Sequence, residues 1–149
     1  MKVYIGADHR GLRLKSDLIS WLQHNGFEFV DMGAYEYDEN DDYSDYGILV
    51  GQAVSADKNS RGILICGTGV GICITANKVK NVRAGLCKSV EVTKLARNDD
   101  DINVLVLGAD FQDNLDTATK LVETFLTTPF ENTEKRVRRI EKITNYEQK

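Results

Sequence analysis

The segment from Arg61 to Lys78, RGILICGTGVGICITANK, restricts the fold more than any other part of the sequence. It begins with a short apolar run, Ile63 to Cys66, which is typical of a buried strand. An alternating glycine turn, GTGVG over 67–71, follows, and the apolar residues from Val70 onward predict a helix. A strand, a glycine turn and a helix in this order direct free backbone N–H groups at one point. The segment therefore predicts an anion cradle between a buried strand and a helix.

Cys66 and Thr68 add polar chemistry to this turn. Cys66 is the last residue before the first glycine, and a thiol beside helix N–H groups loses its proton more easily than an ordinary cysteine. A thiolate there would lie next to donors for a developing oxyanion, which is the arrangement of a proton-transfer site. Free cysteine is also a good small core residue, which is our interpretation of Cys73 and Cys87. Alternating glycines can also serve only to make a tight turn.

Three other uses of a glycine-rich turn fit the sequence poorly. Dinucleotide-binding folds combine GxGxxG with an acidic residue at the end of the next strand, whereas that strand ends here at Cys87-Lys88. A P-loop needs Lys followed by Ser or Thr after the turn, where this chain has Ile72. A cysteine phosphatase needs an arginine at the helix start to hold the phosphate, and Ile72 occupies that position too.

Strand-like and helix-like segments alternate along the whole chain. The predicted strands cover 2–7, 27–32, 63–66, 81–87 and 102–107, and the predicted helices cover 12–25, 46–56, 70–78, 90–97, 115–127 and 134–147. This alternation predicts an α/β fold, a parallel sheet with helices on both faces, in a single domain over 1–149. Ligands of such sheets bind beyond the C-terminal strand ends, where the strand order reverses.

Several polar residues follow or approach this edge. Asp8 and His9 come directly after the first strand, although His9 alone could equally be a satisfied loop histidine. Tyr43 lies in an acidic segment, 36–45, that we otherwise interpret as a solvated connection, and its phenol can both stack and hydrogen-bond. The acidic run 98–101 ends a helix instead of a strand, so it needs another route to the site, which a neighbouring subunit could supply.

The last predicted helix is basic. Lys135 and Arg139 are one helical turn apart, so they either hold a phosphate together or belong to a solvated face.

Composition excludes several classes of protein. The net charge of −4 argues against a nucleic-acid surface, and no apolar segment is long enough to span a membrane. The N-terminal apolar run is too short for a signal peptide. Three widely spaced cysteines make neither a disulfide framework nor a zinc pattern, so we expect a reducing, cytoplasmic setting.

Five stretches of the sequence resemble the ribose-5-phosphate isomerase type B family, which also includes the two galactose-6-phosphate isomerase subunits. They are GADHRG, DDY, GILICGTGVGICITANK, NVLVLGA and RRIEKI, and the likeness extends over essentially the whole chain. The resemblance implies a Rossmann-like three-layer sandwich with a five-stranded parallel sheet. It also implies a homodimer or tetramer whose active sites are shared across the interface, with no metal and no organic cofactor.

The reaction that the resemblance implies is aldose–ketose isomerisation of a sugar phosphate through a cis-enediolate, best matched by ribose 5-phosphate and ribulose 5-phosphate. Cys66 then moves the proton between C1 and C2, and Thr68 helps to hold the enediolate oxygens. The backbone amides of the cradle share that role: Gly67, Gly69, Val70 and Gly71. The expected substrate contacts are Asp8 to sugar hydroxyls, His9 to substrate or phosphate, Tyr43 along the pocket, Asp100 beside the ring-opening position, and Lys135 and Arg139 to phosphate.

The chain also departs from the family pattern. Asp99 stands where many members have the histidine that opens the furanose ring, and a carboxylate is a weaker general base at neutral pH. Asp110 and Lys135 stand where the family has arginines. These changes leave two alternatives open. One is an isomerase for another sugar, such as galactose or allose 6-phosphate or a sugar without phosphate, and the other is a catalytically weak partner subunit that binds sugar phosphate.

Overall fold

Five parallel strands form the sheet of the computed structural model, which describes residues 1–149. The strands are β1 (Lys2–Ala7), β2 (Glu28–Asp31), β3 (Ser60–Cys66), β4 (Ala84–Leu86) and β5 (Val104–Gly108). The helices are α1 (Leu12–His24), α2 (Tyr43–Ala56), α3 (Val70–Ala76), α4 (Val90–Asp100), α5 (Leu115–Thr127) and α6 (Glu134–Glu147). The strand order is β2-β1-β3-β5-β4, so the predicted α/β fold with a five-stranded parallel sheet is confirmed.

Helices cover both faces of the sheet, and the central strands are accordingly apolar on both sides. Residues 104–107 of β5 are completely buried, as expected for a strand enclosed between two helical layers. One core packs α1 and α5 against the sheet, and it includes Leu18, Leu121 and Phe125. The second core packs α2 and α3 against the other face. No helix combines the length and apolar composition needed to cross a bilayer.

The strand order reverses between β1 and β3, and this reversal sets the position of the ligand crevice. The chain leaves β1 toward β2 on one side, then crosses over to β3 on the other. Helices that depart in opposite directions leave a gap above the C-terminal ends of these two strands. Asp8 and His9 follow β1, and the glycine turn follows β3, so both borders of the gap carry polar groups.

Two helix boundaries differ from the prediction in a way that affects the candidate site. α2 begins at Tyr43 and not at Tyr46, because Asp42 has the extended backbone of an N-cap. α4 continues to Asp100 and not only to Arg97, and it ends where Asp101 adopts a left-handed conformation with φ of 46°. Tyr43 is therefore helical, and Asp99 and Asp100 belong to the last turn of α4.

Lys15 is a nearly fully buried charge that ties α1 to the segment after β2. Its side chain is 2% exposed, and Nζ lies 2.5 Å from Asp31 Oδ1. Nζ also donates to the carbonyl of Ala34 at 2.7 Å. Since Ala34 N–H donates to Ala7 O, this cluster fixes the chain beside the C-terminal end of β1.

We predict that Asp31→Asn lowers the free energy of unfolding by about 3 kcal/mol or more, because the Lys15 ammonium is left buried without its counter-ion. Lys15→Met should cost less, about 1–2 kcal/mol, because water can solvate the carboxylate that it leaves behind. That carboxylate is 31% exposed in the native protein. Urea unfolding of both variants measures the two values. A Lys15→Met protein as unstable as Asp31→Asn would contradict this ranking.

Candidate active site

The thiol of Cys66 faces the glycine turn. Cys66 is the last residue of β3 and is 3% exposed. Its Sγ accepts a hydrogen bond from the N–H of Gly69 at 3.1 Å. The expectation that the sulfur lies beside the turn amides is therefore confirmed, and a negative charge on the sulfur would be stabilised by this donor.

Gly69 allows the turn to approach β5 this closely. Its φ is +79°, and a Cβ at this position would lie 2.5 Å from Leu86 Cδ1 and 3.1 Å from Gly108 N. A side chain would thus meet both backbone strain and a steric clash. The N–H of Asp110, just beyond β5, donates to the carbonyl of Gly67 at 3.0 Å and joins the turn to the next loop.

The cradle amides fall into two groups. Gly69 N–H donates to Cys66 Sγ, and Val70 N–H donates to Thr68 Oγ1 at 3.2 Å. The N–H groups of Gly67, Thr68 and Gly71 donate to no acceptor within the chain. Of these, the amides of Gly67 and Thr68 directly follow Cys66 and, together with the exposed Thr68 hydroxyl, are free to bind an oxyanion next to the thiol.

Arg10 is a cation at the cradle that the sequence interpretation missed. A Cβ at Gly67 would lie 2.4 Å from Arg10 Cζ, so the guanidinium lies directly over this glycine. Arg10 is ion-paired with Asp110, a residue 100 positions away. Asp110, where the family pattern has an arginine, thus holds a different arginine over the turn. The only sequence indication of Arg10 was its place in the family-like stretch GADHRG, which did not show that its side chain lies over the glycine turn.

Tyr43 lies against the start of α3. A Cβ at Gly71 would lie 2.6 Å from Tyr43 Cζ, and the tyrosine is 44% exposed. The structure therefore brings Tyr43 to the turn from the first turn of a helix and not from a loop; its place along the pocket was implied by the family resemblance and not by the residue pattern.

Asp8 is buried at the end of β1, with 4% of its surface exposed. Its Oδ1 accepts the N–H groups of Arg10 and Gly11 at 3.0 and 3.1 Å. Burial raises the pKa of Asp8, while the hydrogen bond from Gly11 opposes this effect. One carboxylate oxygen thus shapes the loop that carries His9 and Arg10.

His9 is held by Asp41, which the sequence interpretation assigned to a solvated loop. His9 Nδ1 lies 2.6 Å from Asp41 Oδ1, and the backbone N–H of His9 donates to the same oxygen at 3.1 Å. Tyr46 Oη donates to the other oxygen of Asp41 at 3.1 Å. The hydrogen bond to Asp41 raises the pKa of His9. Burial, followed by the bond to Asp41, raises the pKa of Tyr46 to about 12.

These residues do not form an open metal site. Ligand atoms of Asp8, His9 and Asp41 lie within 4.8 Å of one another. His9 Nδ1 and Asp41 Oδ1, however, already bind each other, and Asp8 Oδ1 accepts two backbone N–H groups. An ion that used His9 Nδ1 would have to displace its hydrogen bond to Asp41.

Asp99 and Asp100 lie at the opposite edge of the sheet, where α4 returns to the N-terminal strand ends. There Gly62 N–H, near the start of β3, donates to the carbonyl of Asn103 at 2.9 Å. The edge that carries Cys66 is four residues further along β3, or roughly 13 Å away at the usual rise of a strand. Within one chain, therefore, the predicted site residues form two separate groups.

Arg136, and neither of the two basic residues singled out in the sequence, faces Asp99. Its Nη2 lies 2.6 Å from Asp99 Oδ1, in an ion pair that lacks hydrogen-bond alignment. Its other terminal nitrogen pairs with Glu131. Lys135 and Arg139 are exposed, and they form no ion pair within the chain. The helical periodicity of α6 alone could not show which of its basic residues faces α4.

Comparison with known proteins identifies the family to which this chain is related. Residues 3–143 match the model of the Ribose/Galactose Isomerase family. The probable ribose-5-phosphate isomerase B of Mycoplasma pneumoniae is 43% identical over 97% of this chain and 94% of its own length.

Two solved structures are similar in both sequence and fold. Ribose-5-phosphate isomerase B of Mycoplasma genitalium, determined with bound ribulose-5-phosphate, matches with 42% identity and a TM-score of 0.95 over 99% of this chain and 97% of that one. The Clostridium thermocellum ribose-5-phosphate isomerase B matches with 38% identity and a TM-score of 0.94 over 99% and 98%. From the family match and these whole-chain similarities, the chain belongs to the ribose/galactose isomerase family.

Proposed function

We propose that this protein interconverts ribose 5-phosphate and ribulose 5-phosphate, with Cys66 as the group that moves the proton. The observation that carries the proposal is the thiol of Cys66 beside the free amides of Gly67 and Thr68. The names of the similar proteins supply the substrate, and one of them was determined with ribulose-5-phosphate bound.

The proton transfer follows from this geometry. The Cys66 sulfur takes the proton from C2 of the open-chain aldose, and the C2 electron pair forms the C1–C2 double bond while O1 becomes negative. The amides of Gly67 and Thr68 and the Thr68 hydroxyl stabilise that charge. The thiol then returns the proton to C1, while the hydroxyl proton passes from O2 to O1. Gly69 N–H stabilises the sulfur whenever it is unprotonated.

The groups around the cradle would hold the rest of the substrate. Asp8 and Tyr43 border the crevice and are assigned to sugar hydroxyls and the sugar face. Arg10 lies over Gly67, and His9 follows the end of β1 beside it; both basic side chains are assigned to the phosphate or to developing charge.

Replacing Cys66 tests the proton transfer directly. We predict that Cys66→Ala lowers turnover by at least about a hundredfold, the usual contribution of a general base, and abolishes the exchange of the C2 hydrogen with solvent deuterium. NMR of ribose 5-phosphate in heavy water measures the exchange. Cys73→Ala is the matched control, because it removes a thiol that lies outside the proposed chemistry. Exchange at the wild-type rate in Cys66→Ala would rule out Cys66 as the base.

We further propose that two copies of the chain form a homodimer in which each site takes residues from both, with a tetramer as a further pairing. Ile48 and Leu49 of α2 and Val70 and Ile74 of α3 are all more than 40% exposed, although α2 and α3 pack side by side. An apolar surface of this kind favours association with another chain. The pairing would bring Asp99, Asp100 and Arg136 of one copy to the Cys66 cradle of the other.

Mixed dimers test the sharing of sites. We predict that Cys66→Ala, which lacks the proposed base, and Arg136→Met, which leaves Asp99 without its ion-pair partner, are each defective alone. Their one-to-one mixture should recover about a quarter of wild-type activity. Half of the randomly assembled dimers are mixed, and each mixed dimer keeps one intact site. Coexpression with two different tags and an activity assay measures the recovery. A mixture of Cys66→Ala with Cys66→Ser is the control, since its dimers contain no intact site. Recovery no greater than in that control would contradict shared sites.

We assign ring opening to Asp99, with Asp100 beside it and Lys135 and Arg139 as further candidates for the phosphate. The carboxylate of Asp99 is 35% exposed and can accept the proton of the anomeric hydroxyl.

We predict that Asp99→Asn slows the turnover of ribose 5-phosphate by about tenfold or more, because the ring-opening base is lost. It should spare a four-carbon aldose 4-phosphate, which cannot close a furanose ring because its O4 carries the phosphate. Steady-state rates on the two substrates measure the difference. Glu91→Gln is the matched control, because it removes an exposed carboxylate from the other end of the same helix. Equal rates for Asp99→Asn and wild type on both sugars would exclude Asp99.

A hexose 6-phosphate is the second candidate substrate. Two departures from the family pattern favour it: Asp99 stands where many members have the ring-opening histidine, and Asp110 stands where the family has an arginine and pairs with Arg10 instead. Rates on ribose, allose and galactose phosphates decide between the two substrates.

A reducing, cytoplasmic location completes the proposal, since the chain has three free cysteines and Cys66 must stay reduced to act.

A further inference from the structure

The contact between Asp41 and His9 has no part in the proton transfer described above, yet both of its side chains are largely enclosed. The Asp41 side chain is 9% exposed and that of His9 is 21% exposed. One oxygen of Asp41 accepts from both the ring and the backbone of His9, and the other accepts from Tyr46 Oη. The carboxylate therefore fixes both the place and the orientation of the imidazole.

We propose that Asp41 is a positioning residue that keeps His9 protonated at Nδ1 and directs Nε2 toward the substrate phosphate as a charged donor. The proposal rests on the proposed sugar-phosphate isomerase function. With Nδ1 committed to Asp41, Nε2 is the only ring nitrogen left for a ligand. A doubly protonated imidazole donates to a phosphate oxygen more strongly than a neutral one.

The charges around His9 agree with this role. The hydrogen bond to Asp41 is the main cause that raises the His9 pKa, and the charge of Asp8 raises it further. Arg10 lowers it, and partial burial also lowers it. The ring of Tyr37 meets His9 edge-on, with centroids 5.7 Å apart. From α1, Arg13 and Asp17 line the same cleft of about 550 Å³ with opposite charges.

The direction of the pH effect follows from the raised pKa. Protonated His9 is favoured in the folded protein, so its contribution to phosphate binding is complete below the ordinary pKa of histidine, near 6.5. The contribution is lost as the pH rises through the higher pKa of the folded state. Without the Asp41 charge, this loss must occur at lower pH.

The experiment uses the two histidines of the chain, His9 and His24. In a Cys66→Ala background, proton NMR follows both imidazoles from pH 5 to 9, and His24→Gln assigns the signals. We expect Asp41→Asn to lower the His9 pKa and to leave that of His24 unchanged. Asp42→Asn is the matched control. It removes the charge of the next residue, which is exposed and whose side chain makes no hydrogen bond to the start of α2. Asp41→Ser repeats the test if Asp41→Asn fails to fold.

Adding ribose 5-phosphate to the same samples tests the phosphate contact. In the Asp41-containing protein, the sugar phosphate should raise the His9 pKa further, whereas ribose should not. At pH values between the lower His9 pKa of Asp41→Asn and the higher one of the Asp41-containing protein, Asp41→Asn should weaken ribose 5-phosphate binding about fivefold or more, and the affinities should converge below and above that window.

An unchanged His9 pKa in Asp41→Asn, or equal affinity across the pH range, would overturn the proposal. Failure of the proposed function has a different signature, because the substrate-free titration would still show the Asp41 effect while wild-type protein would not isomerise any sugar phosphate.

Discussion

The hydrogen bond from Gly69 N–H to Cys66 Sγ joins the end of a buried strand to the turn that follows it. It requires a residue with positive φ and no side chain at position 69, because Leu86 and the backbone at Gly108 leave no room for a Cβ. The sheet fixes the sulfur, and the same sheet fixes the turn through Asp110 and Gly67. The proposed proton-transfer group and its proposed oxyanion donors therefore share one support, so the proposed reaction needs little reorganisation.

Near the glycine turn, the basic side chains are paired with carboxylates. Asp110 holds Arg10 over Gly67, and Asp41 holds His9 beside the end of β1. Each cation thus keeps a carboxylate partner before any substrate arrives, which limits the cost of its partial desolvation. The same pairing restricts the rotamers of both basic side chains before substrate binds. This region carries two basic groups although the chain as a whole has a net charge of −4.

Periodicity was sufficient to predict the fold from the sequence. The predicted bounds of β1, α5 and α6 agree with the structure, because apolar spacing within a single element decides them. The sequence did not predict those site contacts that join distant segments of the chain. The bond from His9 to Asp41 spans 32 residues, and the pair of Arg10 and Asp110 spans 100. Nothing within either segment indicates its partner.

The sequence also did not predict which face of a helix packs against its neighbour. Lys135 and Arg139 share one face of α6, but whether that face meets α4 depends on how the apolar stripe of α6 packs. The structure turns Arg136 toward Asp99 instead. Similarly, the acidic run before Tyr43 concealed the start of α2, because several carboxylates in succession offer several candidate N-caps.

The separation of the two groups of polar residues follows from chain direction alone. A helix that connects parallel strands must carry the chain back to the edge where the strands begin, so the last turn of α4 necessarily lies at the edge opposite to Cys66. Eleven helical residues cover about 16 Å, which is comparable to the length of the strands they return along. No side-chain rearrangement spans that distance. If Asp99 and Asp100 act on the same sugar as Cys66, the direction of the chain itself requires a second copy.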